Sequence, residues 1–167
     1  MSSRNEPSRR SFLRGTLLAA TGLIGSGSLL ANGRLLADWA GDPDPEAPNE
    51  EVARILREIS AGKPIRRGHV SLDMPVAAED GRIVPVIIES DLPMTPERYV
   101  KSIHLIVDHN PDAHLAAFYL TPAIGSVSIS TRIKMKRTTW VRALAKTSDD
   151  EIWAAYTRVQ VTLNGCG

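Results

Sequence analysis

The pattern of hydrophobic and polar positions predicts one short helix near residue 50. Four apolar residues recur there at a spacing of three and four and share one helical face, namely Val52, Ile55, Leu56 and Ile59. Asn49 is a suitable N-cap, and the charges of Glu50 and Glu51 complement the helix dipole in the first turn. Gly62 and Pro64 end the pattern. We therefore expect a single amphipathic helix that packs across one end or face of the structure that follows.

Beyond residue 69 the apolar positions change to a period of two or to short continuous runs, which is typical of strands. The runs cover residues 70–72, 82–89, 101–108, 115–120, 125–135, 138–145 and 151–163. Turn-forming sequences such as Asn110-Pro111-Asp112 separate them. Pro85 lies within the second run and predicts an edge strand or a bulge there. About seven strands at this spacing predict a mainly β fold, an antiparallel β-sandwich that one N-terminal helix precedes.

The composition narrows the class of protein. Of the 167 residues, 43% are hydrophobic, which is enough to form a core. The formal net charge is +1, so the chain lacks the basic footprint of a nucleic-acid-binding protein. The single cysteine excludes an internal disulfide framework and any metal site built from several cysteines.

Residues 1–37 have the features of an export signal. Arg9 and Arg10 stand in the sequence Ser-Arg-Arg-Ser-Phe-Leu-Arg, which matches the twin-arginine pattern. The apolar run that follows is interrupted by Gly22, Gly25 and Gly27 and is shorter than the ~20 residues of a membrane-spanning helix. We therefore expect a twin-arginine signal peptide, a periplasmic location and no stable membrane anchor. Residues 38–48 contain three prolines among acidic residues and predict a linker to a folded domain at 49–163.

The only cysteine, Cys166, stands one residue from the C-terminus, between Gly165 and Gly167. Together with Asn164 these residues follow a β-like run and predict a short, flexible arm at 164–167. An arm of three residues reaches roughly 10 Å when extended, which is far enough to place a sulfur atom inside a neighbouring protein. No Lys, Arg or His lies within the last eight residues, so nothing in the tail favours the thiolate. A thiol that depends on a partner for activation is typical of a carrier; the alternative is an incidental cysteine or an intermolecular disulfide.

Other candidate chemistry in the sequence is weak. The four histidines show no clustered ligand spacing, so we predict no metal site; they are His69, His104, His109 and His114. The glycine-rich and nucleophile motifs of nucleotide-binding proteins and hydrolases are absent, which favours a protein that is not an enzyme and has no cofactor. The basic run at 131–137 is interpreted as a solvated edge strand, with a face that attracts anions or an acidic partner as the alternative. Trp140, Trp153 and Tyr156 are interpreted as aromatic residues of the core or of a subunit interface.

With these residues in place, the chain resembles the SoxY family, the sulfur carriers of thiosulfate oxidation. The resemblance covers most of residues 50–167. It rests on the twin-arginine leader, on the Asn110-Pro111-Asp112 turn that precedes Ala117-Phe118-Tyr119-Leu120-Thr121-Pro122, on the stretch that ends Ser130-Thr131-Arg132-Ile133, and on the terminal cysteine. The family's arm usually reads Gly-Gly-Cys-Gly-Gly, whereas Asn164 replaces the first glycine here and only Gly167 follows the cysteine.

The resemblance implies an immunoglobulin-like sandwich and a set of protein partners. It implies that Cys166 holds sulfur covalently, first as a cysteine S-thiosulfonate and later as a persulfide. The implied partners are a small SoxZ-like subunit in a heterodimer, a haem-containing enzyme that couples thiosulfate, a hydrolase that releases sulfate, and a sulfur dehydrogenase. The remaining alternative is a periplasmic β-sandwich interaction module whose Cys166 only forms an intermolecular disulfide.

Overall fold

Two β-sheets and one α-helix make up residues 44–163, the part of the chain that this computed structural model describes. The helix α1 spans Glu50–Ser60. The strands are β1 Ile65–Arg67, β2 Val70–Asp73, β3 Ala77–Asp80, β4 Val84–Ser90, β5 Val100–Val107, β6 His114–Tyr119, β7 Val127–Ile133, β8 Thr139–Thr147 and β9 Ile152–Leu163. A short 3₁₀ helix spans Pro122–Ile124, between β6 and β7. The mainly β, immunoglobulin-like sandwich with one N-terminal helix is therefore confirmed.

The larger sheet has the strand order β1-β9-β8-β5-β6, and β3 also pairs with β9. The smaller sheet has the order β2-β4-β7 and is antiparallel throughout. The short strands β1 and β3 were not predicted, and both run parallel to β9. Strand β1 pairs with the start of β9, beginning at Ile152, whereas β3 pairs with its end, from Gln160 to Leu163. The long strand β9 therefore connects the two ends of the sandwich.

The main hydrophobic core fills the space between the sheets. Strand β5 contributes Ile103, Leu105 and Val107 to this core, as the alternation of its apolar residues predicts. The opposite face of β5 is buried as well, since Ile106 belongs to a second cluster beneath α1. Each large aliphatic side chain buried in this way contributes about 1.5–3 kcal/mol relative to an exposed one.

Helix α1 begins and ends where its sequence predicts. The Asn49 side chain accepts a hydrogen bond from the backbone N–H of Val52 at 2.9 Å. Ala61 then adopts φ of 51° and Gly62 φ of 78°, and this left-handed geometry ends the helix. The apolar face, which includes Ile55 and Ile59, packs on the outer face of the larger sheet. No helix within residues 44–163 has the length and apolar character needed to cross a membrane.

The prediction for Pro85 was wrong, because β4 is the middle strand of the smaller sheet and pairs with β7 in unbroken register. Pro85 lies opposite Arg132 of β7. The other neighbour, β2, ends at Asp73, which lies opposite Ile87. The proline is tolerated because it lies beyond the end of β2, where β4 has a partner on one side only.

A buried ion pair ties the segment before α1 to the larger sheet. The Arg142 guanidinium donates to both carboxylate oxygens of Asp108, at 2.6 and 2.7 Å. It also donates to the backbone carbonyls of Pro45 and Glu46, each at 2.8 Å. Arg142 is 1% exposed and Asp108 is 2% exposed. The two opposite charges therefore neutralise each other, and the remaining bonds from Arg142 hold the backbone of residues 45 and 46, which precede the helix.

Candidate functional site

The residues predicted to carry the function lie outside the described part of the chain. These are Cys166 with the arm residues Asn164, Gly165 and Gly167, and the signal-motif residues Arg9 and Arg10. The end of β9, which leads into the arm, is described up to Leu163. The candidate site is therefore built here from the surface around this strand end, which we call the arm base.

The end of β9 is held on both sides. On one side β3 pairs with it, and Gln160 N–H donates to the carbonyl of Val76 at 2.9 Å. On the other side Val161 N–H donates to Oγ1 of Thr138 at 2.9 Å. The strand pairing extends to Leu163, opposite Asp80. Because these bonds fix the backbone, an arm that starts after Leu163 starts from a fixed point.

The basic run at 131–137 lies at the arm base. Its first residues belong to β7, which is an edge strand, as predicted; β7 ends at Ile133, however, so the prediction was wrong for residues 134–137, which form a loop. The loop beyond it is clamped by Asn110, whose side chain donates to the carbonyl of Lys134 at 2.6 Å and accepts from Lys136 N–H at 3.0 Å. Met135 N–H donates to the carbonyl of Gly81 at 2.7 Å. The loop therefore holds Met135 in the core and presents its lysines to solvent.

Asp80 and Arg82 also lie near the arm base, in and after β3. Arg82 contacts both carboxylate oxygens of Asp80, at distances from 2.7 to 3.0 Å. The hydrogen bonds from Arg82 lower the pKa of Asp80, and the same contact raises the pKa of Arg82. Their charges cancel locally, so this pair adds no net charge to the arm base.

A second feature is a hydrogen-bonded chain of one serine and two histidines. Oγ of Ser102 lies 3.0 Å from Nε2 of His104, and Nδ1 of His104 lies 3.1 Å from Nε2 of His114. Burial, together with smaller contributions from repulsion by His114 and Lys146, lowers the pKa of His104 to about 4. A cleft of about 300 Å³ adjoins these residues between α1 and the edge strand β6.

The serine–histidine chain has the order of a nucleophile and a base but lacks two properties of a catalytic site. Ser102 is 3% exposed, so a substrate has little access to its oxygen. His104 is neutral at pH 7 and, with a pKa of about 4, is a weak base. The chain is better described as a polar network that satisfies buried groups between β5 and β6. The sequence motifs gave no sign of it, because the residues come together only when the two strands pair.

The other two histidines lie apart from this network. Nδ1 of His69 is 2.6 Å from a carboxylate oxygen of Asp91, in a cleft of about 480 Å³ at the far ends of β4 and β7 from the arm base. Nδ1 of His109 is 2.6 Å from Oγ1 of the buried Thr139. Within residues 44–163, no group of three or more His, Cys, Asp or Glu side chains could hold a metal ion.

The three aromatic residues singled out in the sequence have different environments. Trp153 and Tyr156 are half-buried, and the ring of Tyr156 lies near the guanidinium groups of Arg67 and Arg142, at 5.1 and 5.7 Å. Burial raises the pKa of Tyr156 to about 12. Trp140, near the start of β8, is 36% exposed and is therefore not a core residue.

Comparison with known protein families covers most of the folded domain and the cysteine that follows it. A family model described as sulfur oxidation protein SoxY matches residues 57–166, which is more than half of the chain and includes Cys166. No curated protein matches the chain by sequence.

Among the solved structures that are similar to this chain in fold are a sulfur carrier and a superoxide reductase. The sulfur carrier protein SoxY from Chlorobium limicola f thiosulfatophilum has a TM-score of 0.58 and 20% identity, over 68% of this chain and 98% of that chain. The superoxide reductase (neelaredoxin) from Ignicoccus hospitalis has a TM-score of 0.51 and 14% identity, over 56% of this chain and 80% of that chain. At these identities the structural likeness shows the fold alone.

Proposed function

The chain belongs to the SoxY family of sulfur oxidation proteins, and from this premise we propose that it is a sulfur carrier whose attachment point is Cys166. The observation that carries the proposal is the family match itself, which runs through the folded domain and ends at Cys166, the only cysteine. The carrier is proposed to act without a cofactor or metal of its own, because its chemistry belongs to the enzymes that receive the arm.

The proposed loading step is an oxidation of the Cys166 thiol. The thiol sulfur forms an S–S bond with the outer sulfur of thiosulfate, which gives a cysteine S-thiosulfonate. The thiol proton and two electrons leave, and a haem-containing partner enzyme accepts the electrons. Hydrolysis by a second partner then breaks the S–SO₃ bond, so that sulfate and a proton are released and a persulfide remains on Cys166. A sulfur dehydrogenase is the proposed enzyme for the sulfane sulfur that remains: it accepts six electrons while three water molecules supply the oxygen atoms, so that the persulfide becomes an S-thiosulfonate again and protons are released.

The arm base supports this role through its combination of a fixed strand end and a short tether. The hydrogen bonds of Gln160 and Val161 hold β9 to its last described residues. Cys166 is three residues beyond Leu163 and can reach roughly 10 Å from it. A tether of this length can enter the active site of another protein while the folded domain stays outside.

We extend the proposal to location and partners. The twin-arginine motif at Arg9 and Arg10 favours export of a folded protein to the periplasm. A SoxZ-like small subunit is the proposed partner in a heterodimer. In the oxidising periplasm a free thiol persists only where it is used or protected, which fits a cysteine that alternates between sulfur adducts.

The experiment that tests the proposal replaces the thiol. Cys166→Ser should abolish thiosulfate-dependent sulfur loading, as measured by intact mass, and should leave the melting temperature nearly unchanged. Wild-type protein treated in the same way is the positive control. A large loss of thermal stability would show instead that the tail is structural. A wild-type protein that forms only a disulfide-linked dimer would favour the interaction module over the carrier.

A further inference from the structure

The arm base carries a surplus of positive charge. Four exposed basic side chains lie at the end of β7 and in the loop that leads from it to Thr138, which binds the end of β9. They form no ion pair with any residue of the described range 44–163; they are Arg132, Lys134, Lys136 and Arg137. The sequence has no acidic residue between Asp112 and Asp149. Asp80 of β3 is already paired with Arg82, and the single charge of its neighbour Glu79 offsets only part of the four positive charges. The surplus is local, because the formal charge of the whole chain is only +1.

Two exposed apolar side chains flank β3, the strand that pairs with the end of β9. Val76 is 75% exposed and Ile83 is 64% exposed. The carbonyl of Val76 binds the end of β9 through Gln160, and Ile83 lies in the turn between β3 and β4 that contacts the basic loop through Gly81. Apolar residues within a charged rim have the composition of a protein-binding surface. We call Val76, Ile83 and the four cations the arm-base surface.

We propose that the arm-base surface docks an acidic surface at the active-site entrance of the enzymes that receive Cys166. This inference rests on the proposed carrier function. The tether beyond Leu163 reaches only roughly 10 Å, so a protein that takes Cys166 into its active site must come into contact with the residues around Leu163. Those residues present cations and apolar groups, and the complementary partner surface is therefore acidic with an apolar centre.

The docking surface has a physical consequence for the rate of the reaction. Charges around an entrance steer the approach of a partner and raise its association rate, and salt weakens the effect because it screens exposed charges. The unpaired lysines of the clamped loop are suited to this role, because Asn110 fixes the backbone of both Lys134 and Lys136. The backbone positions from which these two side chains extend are therefore fixed.

The test compares two pairs of Lys→Gln substitutions that remove the same charge. One variant is Lys134→Gln/Lys136→Gln at the arm base. The control is Lys63→Gln/Lys101→Gln, near Asp150 at the opposite end of β9. Each protein is loaded with thiosulfate by the haem-containing coupling enzyme purified from the same cells. The second-order rate of Cys166 loading is measured by intact mass at low and at high ionic strength.

We expect the arm-base variant to load about tenfold more slowly than wild type at low ionic strength and to approach the wild-type rate at high salt. The control variant should load at the wild-type rate under both conditions, and both variants should keep the wild-type melting temperature. Equal rates for wild type and the arm-base variant, or equal slowing by the control, would overturn the docking surface alone. A wild-type protein that never acquires sulfur would overturn the carrier function and this inference together.

Discussion

The buried pair of Asp108 and Arg142 allows the sharpest prediction about the fold. Asp108→Leu or Arg142→Met removes one partner and leaves the other as an unpaired charge in the interior. Each single substitution should lower the free energy of unfolding by about 3–5 kcal/mol. Arg142→Met also removes the donors to the carbonyls of Pro45 and Glu46, but those residues lie near the surface, where water can replace the lost bonds. The stability of a domain of this kind is about 5–15 kcal/mol, so each single substitution should remove a large fraction of it.

The double variant Asp108→Leu/Arg142→Met isolates the energy of interaction between the two charges from the effect of each substitution on its surroundings. Replacing both charges by apolar groups avoids the unpaired charge, so the double variant should be more stable than the sum of the two single losses predicts. We expect a coupling energy of about 2–3 kcal/mol, measured by urea unfolding of wild type and all three variants. Single losses below about 1 kcal/mol, typical of exposed pairs, or losses that simply add, would refute the argument that this ion pair is buried and coupled.

Three further predictions concern the helix, the histidine network and the arm base. Asn49→Ala should lower stability by about 1 kcal/mol because it removes the cap on Val52 N–H, whereas Asn49→Asp should retain it; thermal unfolding decides. The unfolded chain takes up the His104 proton near pH 6.5 and the folded chain only near its pKa of about 4, so this group alone should lower the stability of the wild type by about 2–3 kcal/mol between pH 7 and pH 4.5. His104→Gln should lack that part of the loss in urea unfolding, and an unchanged pH dependence would contradict the assignment. Thr138→Ala should speed hydrogen exchange of the Val161 amide, which Thr138→Ser should leave protected; equal protection in both variants would show that this bond does not hold β9.

Local patterns in the sequence were sufficient to predict the helix and most of the strands. The Asn49 cap, the apolar face and the stop at Gly62 all depend on neighbours within a few residues, and the structure confirms each of them. The inward positions of β5, including Ile103 and Leu105, follow from simple alternation. These features could be predicted because each one is fixed by the residues next to it in the chain.

Features that depend on distant residues could not be predicted in this way. The outer face of β5 is buried because α1 covers Ile106, and the period of two gives no sign of such a cover. Strand β1 forms only because β9 offers it a parallel edge. Pro85 is tolerated in a central strand because β2 is short, which is a property of another segment. The pairing of Asp108 with Arg142 could not be predicted either, because Asp108 follows β5 and Arg142 lies in β8, and the two meet only in the folded sheet.

The candidate site likewise combines features that depend on neighbouring residues with features that depend on distant ones. Cys166 and its glycine neighbours could be proposed from the sequence alone, because Cys166 is the only cysteine and has glycine on both sides. The surroundings of the arm could not, because β3, Thr138 and the basic loop meet at the end of β9 only in the folded sandwich. The sequence allowed two interpretations of the run at 131–137, and the fold adds that the loop following β7 leads to the end of β9 through Thr138.

The most direct test of the carrier function is the intact mass of the protein isolated from the periplasm of cells that are oxidising thiosulfate. The mass should be measured before and after treatment with a reductant, and the modified peptide should be identified. The account predicts an adduct of thiosulfate or of sulfane sulfur on Cys166 that the reductant removes. A mass equal to the bare chain, or to a disulfide-linked dimer alone, would contradict it.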